Sequence, residues 1–133
     1  MTSYSLDTNV LVRFLVVDDK AQSAKAAKLV ARAVARNETL FVSDVVICET
    51  VWVLLSAYQV SRAEVGDILG QLLKATHLSF RDVDSLVRAL EAFVAGKGDL
   101  ADYVIKEHAR AAGCEGVATF DRALLKEEGF VAP

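Results

Sequence analysis

Tyr4-Ser5-Leu6-Asp7-Thr8-Asn9-Val10-Leu11-Val12-Arg13-Phe14-Leu15-Val16 opens the chain with a change of period. Tyr4 to Leu6 reads as a short strand that stops at Asp7. From Asn9 to Val16, the apolar Val10, Leu11, Phe14 and Leu15 fall at helical spacing. The same alternation recurs downstream. Lys20 to Arg36 reads as an Ala-rich helix whose Ala24, Ala27, Val30, Ala31 and Val34 share one side. Thr39 to Val42 is the next strand, and Ser43 or Asp44 caps a helix to about Ala57. Ser61-Arg62-Ala63-Glu64 is a capping box that starts a helix to Lys74. His77 to Phe80 is a third strand. Asp82 or Asp84 caps a helix to Ala95, stopped by Gly96 and Gly98. Leu100 to Ala112 is helical, with Gly113 as its stop. Gly116 to Phe120 is a strand, Asp121 to Glu128 a short helix, and Phe130-Val131 an edge strand.

Strands separated by helices cannot form hairpins and favour a parallel sheet covered on both faces. The expected fold is a three-layer α/β/α sandwich around a mostly parallel sheet of four to five strands. Ligands of such sheets bind beyond the carboxyl ends of the strands. The chain has 133 residues, which predicts one domain over 1–133. With 53% hydrophobic and 25% charged residues and a single Pro, disordered and collagen-like classes are excluded. Fifteen basic side chains against eighteen acidic ones give a net charge of -3, so no overall basic field advertises nucleic acid. Cys48 and Cys114 make neither a disulfide framework nor a zinc site, and read as small hydrophobes in a reducing compartment. Met1 to Ser5 lacks the basic start of a signal peptide. The most apolar segment, Val45 to Tyr58, falls short of the roughly 20 residues of a membrane span. The expectation is a cytoplasmic protein with no membrane partner.

The residues just past the strand ends carry the chemistry. Strand one delivers Asp7. Strand two delivers Asp44, which reads as a cap, and then Glu49. The helix before strand four begins with Asp99 and Asp102, and strand four leads to Thr119 and Asp121. Each acid that precedes a helix is also a plausible N-cap. Glu49 decides between the readings, because its helix is apolar on nearly every side and is expected to be buried. A buried, unpaired carboxylate costs several kcal/mol or takes up a proton. Asp102 stands three residues after Asp99 amid Leu100, Ala101, Tyr103, Val104 and Ile105, which predicts partial burial. Crowded carboxylates repel, and an all-oxygen donor set without His or Cys favours hard cations, Mg²⁺ or Mn²⁺.

Leu6-Asp7-Thr8-Asn9-Val10-Leu11, Glu49, Gly98-Asp99-Leu100-Ala101-Asp102-Tyr103 and Ala118-Thr119-Phe120-Asp121 follow one another in order. Together they resemble a PIN domain, specifically the VapC-type toxin of bacterial and archaeal toxin–antitoxin pairs, over almost the whole chain. The resemblance implies a Mg²⁺-dependent endoribonuclease holding one or two ions. Asp7 would match the first family acid, Glu49 the second, Asp102 the third and Asp121 the fourth, with Asp99 as an extra acid. Asp7 and Asp102 would be the principal metal ligands. Glu49 and Asp99 would bind directly or through water, Asp121 would hold a second ion, and the first contact falls to either Asp99 or Asp102. Thr8, Asn9 and Thr119 would support them. RNA is the implied substrate, a cognate antitoxin and a second copy of the chain the implied partners.

Arg13, Lys97 and Arg122 lie near the acids in sequence and are the candidate contacts for RNA phosphates. Lys25, Lys28, Arg32 and Arg36 form a stripe that reads as a solvated face or as a phosphate track. His77 and His108 are isolated and read as structural. Trp52 and the Phe residues fit core packing better than base stacking. Two rival functions stand beside the nuclease: a doubly wound phospho-acceptor or phosphatase domain using Asp7, and a non-catalytic PIN-like interaction module. The first lacks a Lys directly after strand four; the second leaves the full set of acids unexplained. Dinucleotide binding fails, since no Gly-x-Gly-x-x-Gly follows strand one.

Overall fold

A computed structural model describes residues 2–133, with side chains from Tyr4 onward; Met1, part of the terminus read for a leader, lies outside the described residues. Strand β1 (Thr2–Ser5) runs into helix α1 (Thr8–Leu15), followed by α2 (Lys20–Ala35), β2 (Thr39–Phe41), α3 (Asp44–Ser56) and α4 (Arg62–Leu73). Then come β3 (Leu78–Ser79), α5 (Val83–Ala95), α6 (Leu100–Ala111), β4 (Val117–Ala118), a 3-10 turn (Leu124–Lys126) and β5 (Phe130–Val131). The strands are shorter than the sequence suggests, because the stretches beside them pair through isolated bonds. Leu6 donates to the Phe41 carbonyl at 2.8 Å and Val42 to the Ser79 carbonyl at 2.9 Å.

The pairings are parallel, as the alternation predicts. β2 lies between β1 and β3, with Tyr4 opposite Leu40 and Leu40 opposite Leu78. The expected four- to five-stranded sheet is split. β4 and β5 pair with each other, Val117 opposite Phe130, as a separate two-stranded sheet. Leu40 and Val42 on the central strand are fully buried, and the core extends through Leu11, Leu54, Leu69, Phe93 and Tyr103. This matches an α/β/α arrangement. Among the described residues, no helix is long and apolar enough to cross a membrane.

Capping follows the sequence closely. Ser61 and Glu64 form the reciprocal capping box of α4, and Asp82 caps α5. Ser43, not Asp44, caps α3. The face of α2 is displaced from the expected one. Ser23, Ala26, Val30 and Ala33 are buried, while Ala24, Ala27, Ala31 and Val34 face solvent. Alanine at so many positions leaves the helix little amphipathic contrast, so the bulky Val30, with Leu29 packed beside it against the core, fixes its rotation. Lys25, Lys28, Arg32 and Arg36 lie exposed. Cys48 is half-buried and Cys114 exposed, so only the first sits as a small hydrophobe against the core; both are free. Burial, chiefly, raises the Cys48 thiol to about 11, so it stays a protonated hydrophobe.

One interaction ties the helical layer to the loop that follows α5. The Arg62 Nη2 donates to the carbonyls of Phe93 (2.5 Å), Gly96 (3.0 Å) and Gly98 (2.8 Å). Its guanidinium carbon lies 3.9 Å from the centre of the Phe93 ring. Gly98 is needed here, because a Cβ would sit 2.7 Å from Leu124 Cδ2 and 3.0 Å from Asp102 Oδ2. Arg62→Ala removes the donor to three carbonyls and is expected to destabilise the fold by about 2–4 kcal/mol in urea unfolding. A loss under about 0.5 kcal/mol, the usual size of a surface change, contradicts this clamp.

Candidate active site

Asp7 emerges from β1 as the N-cap of α1. Its Oδ1 accepts the Val10 N–H at 3.0 Å, a bond that fixes the carboxylate's orientation. The next residue reaches across to α3, where the Thr8 hydroxyl donates to Glu49 Oε1 at 2.8 Å. Asp7, Thr8, Asn9 and Glu49 line one shallow cavity of about 550 Å³, walled by Trp52 and Val53.

Glu49 is solvent-exposed, which overturns the argument that singled it out. Val45 and Trp52, each 67% exposed, flank it one turn away on either side. An apolar composition all round predicted full burial of α3. Only the face carrying Val46, Ile47, Thr50, Val51 and Leu54 is covered. Trp52 and Phe120, the latter 87% exposed, are likewise outside the core in which they were expected.

The second group of acids forms where α6 begins. Asp99 is the N-cap of α6, and its backbone N–H donates to Asp102 Oδ2 at 2.8 Å. Asp102 is half-buried, as expected from its apolar neighbours. Desolvation is the main reason that its carboxyl is held above the ordinary aspartate range; the negative charges of Asp99, Asp121 and Glu127 push the same way. The Asp99 N–H opposes them by favouring the ionised form. Asp121 is fixed at the start of the 3-10 segment, where its Oδ1 accepts the N–H groups of Ala123 (2.8 Å) and Leu124 (3.2 Å). Thr119 Oγ1 accepts the Asp121 N–H at 3.0 Å, so Thr119 shapes the turn that presents this acid.

Glu127 was invisible in the sequence. It sits in Lys126-Glu127-Glu128, a run that reads as a solvated surface. In the structure, the buried Tyr103 hydroxyl donates to its carboxylate (2.8 and 3.0 Å) while accepting the Gly98 N–H at 2.9 Å. The tyrosine thus braces the loop that delivers Asp99 and Asp102. No periodicity or motif signals a contact between residues 24 apart.

Asp44 is also more than the cap that the sequence suggested. It is buried, and its Oδ2 accepts two bonds from Arg81, each 3.0 Å, and lies 2.8 Å from His108 Nε2. His108 is therefore a structural partner, as expected. Of the phosphate candidates, Arg13 is committed elsewhere: it donates to Gln22 (2.6 Å), Asp18 (3.2 Å) and Tyr58 (3.2 Å), and Tyr58 in turn donates to Asp18. Lys97 is exposed, its backbone N–H donating to Glu127 at 3.3 Å, and Arg122 is exposed with no ion pair among the described residues.

Among the described residues, no three His, Cys, Asp or Glu side chains gather as one ion's ligand set. The oxygen donors still suit magnesium, which keeps several waters and binds through one or two carboxylates plus substrate phosphates. Asp102 fits best, because a cation would favour the ionised form that desolvation, first, and the charges of Asp99, Asp121 and Glu127 disfavour. Residues 4–128 match the family model described as the PIN domain. No curated protein matches the chain.

A raised carboxyl means that the folded state holds this proton more tightly than the unfolded chain does. Folding is then helped by Asp102 when protonated, and that help is lost as pH rises through its elevated folded pKa. Asp102→Asn keeps the acceptor for the Asp99 N–H and removes the charge. At pH 7 without divalent ions it is expected to raise Tm by roughly 1–4 °C, with the gain vanishing in acid. Calorimetry across pH checks this; an unchanged or lower Tm at pH 7 contradicts the burial and repulsion at Asp102.

Proposed function

The chain belongs to the PIN-domain family, and from that premise we propose that it is a VapC-type toxin, an endoribonuclease dependent on Mg²⁺ or Mn²⁺. PIN domains are generally nucleases and typically use divalent ions. The observation that carries the reading is Asp102, a half-buried carboxylate oriented by a backbone N–H and loaded by three further acids. Asp99 is the cap and Asp102 its capping-box partner, yet a Ser at the first position and a Gln at the second would serve without this added charge.

Asp102 and Asp7 are the ion's principal holders in this reading, with Glu49, Asp99 and Asp121 acting directly or through water. The ion, once bound, neutralises the anionic phosphodiester and sharpens the acidity of water. The chain's own work is positional. The Val10 N–H aims Asp7, Thr8 holds Glu49, and Thr119 sets the turn carrying Asp121. A carboxylate among Glu49 and Asp99 accepts the proton of the attacking water. The water oxygen bonds to phosphorus as the bond to the 3′ oxygen breaks, and that oxygen takes a proton from solvent water, leaving a 5′-phosphate and a 3′-hydroxyl. Asp102, with its raised pKa, must be ionised to hold a cation, so activity rises as pH climbs through that pKa.

The preference for RNA, the toxin role and the cytoplasmic setting come from the family likeness. An antitoxin and a second copy of the chain are its proposed partners. The exposed Val45 and Trp52 beside Glu49 support a partner surface next to the acids.

Asp7→Asn and Asp102→Asn are each expected to lower Mg²⁺-dependent cleavage of total tRNA or ribosomal RNA by about a hundredfold or more. Thr8→Val, which frees Glu49, is expected to cost about tenfold. Gel analysis of end-labelled RNA with phosphatase-sensitive 5′ ends measures both. Undiminished cleavage by folded Asp7→Asn and Asp102→Asn would falsify the assignment.

A further inference from the structure

Behind the acids of α6 lies a cavity of about 560 Å³ between the end of α5, the middle of α6 and the 3-10 segment. Lys97, Lys106 and Lys126 line it, together with Glu127 and Glu128. None of the three ammonium groups has an ion-pair partner among the described residues. Three cations against two carboxylates leave the lining net positive, which favours an anion placed among them.

Lys106 is held in place by packing. Its stem lies along Gly129, where a Cβ would sit 2.5 Å from Lys106 Cε, and Gly129 has φ +92°. Its Nζ stands 5.8 Å from the centre of the Phe130 ring. Glu127, the carboxylate that best competes for these lysines, is already engaged by the Tyr103 hydroxyl and the Lys97 N–H. The same Glu127 adds to the negative field that raises Asp102, so the cavity adjoins the acid group.

We propose that this lysine-lined cavity is a phosphate subsite that takes a backbone phosphate of the RNA strand next to the one being cleaved. The inference rests on the nuclease reading and deepens it. A strand crossing from a cation held at Asp102 meets fixed ammonium groups at the neighbouring position. Acids alone would repel the rest of the polymer. A lysine-lined pocket adjoining them holds the chain without touching the bases, so this subsite carries no sequence preference.

The full-length protein tests this with two probes. In the first, a short single-stranded RNA of mixed sequence is titrated in Ca²⁺ buffer, by anisotropy across a salt series. Lys106→Gln with Lys126→Gln is expected to weaken binding about tenfold and to flatten the salt slope by about 0.7 for the phosphate released. Lys74→Gln, at the C-cap of α4, leaves both unchanged. In the second, adenosine 5′-monophosphate is titrated by NMR and is expected to shift the Gly96 and Gly129 amides in the parent but not in the double variant. If RNA is cleaved and bound by the double variant with unaltered affinity and slope, the subsite is overturned and the nuclease stands. If the nucleotide shifts those amides but no RNA is cut, the subsite stands and the nuclease reading fails. If neither probe perturbs the cavity, the subsite is overturned.

Discussion

The electrostatic burden on Asp102 is the constraint from which the site's construction follows. A carboxylate with three acids in its field, partly withdrawn from water, is unfavourable in itself. It persists because packing over-determines its position. Arg62 ties together the Phe93, Gly96 and Gly98 carbonyls, and Tyr103 joins Gly98 to Glu127. These bonds are made by residues with no role in chemistry. They fix the backbone from which Asp99 and Asp102 project, so that repulsion cannot be relieved by letting the loop drift.

The parallel sheet accounts for the rest of the rim. Each strand of the β1-β2-β3 sheet ends beneath a residue that matters: Asp7 after β1, Asp44 after β2, Arg81 after β3. On this rim, Asp44 pairs with Arg81 and lies beside His108, while Asp7 has no ion-pair partner among the described residues. One carboxylate is therefore spent on holding α3, β3 and α6 together, and its neighbour is left available. The distinction is decided by what lies opposite in space and not by sequence position, since both acids follow a strand.

Much of the architecture was legible because it is written in local signals. The alternation of strand and helix, the Ser61 capping box and the Gly-bounded start of α6 are short-range features with direct physical causes. Partial burial of Asp102 followed from its apolar neighbours. The misreadings share a different origin. The apolar make-up of α3 predicts a buried Glu49, yet the face carrying Val45, Glu49 and Trp52 is solvent-exposed, and Glu49 takes its bond from the Thr8 hydroxyl there. The buried side of α2 was misplaced because alanines give little to choose between faces. The final strands pair apart from the main sheet, a matter of tertiary register. Glu127, Arg62 and the Asp44 trio depend on contacts 24 to 64 residues apart, for which a single sequence carries no pattern.

On the proposed reading, a divalent cation relieves the charge gathered at Asp102 and reaches Asp7. Paramagnetic Mn²⁺, titrated into the isotope-labelled chain, tests it most directly by broadening the amides nearest the bound ion. The predicted result is saturable loss of the Asp7, Thr8, Asp99, Asp102 and Asp121 signals, reversed by excess Mg²⁺. Broadening centred on other surface acids, such as Asp84 and Glu91, or none below millimolar Mn²⁺, contradicts it.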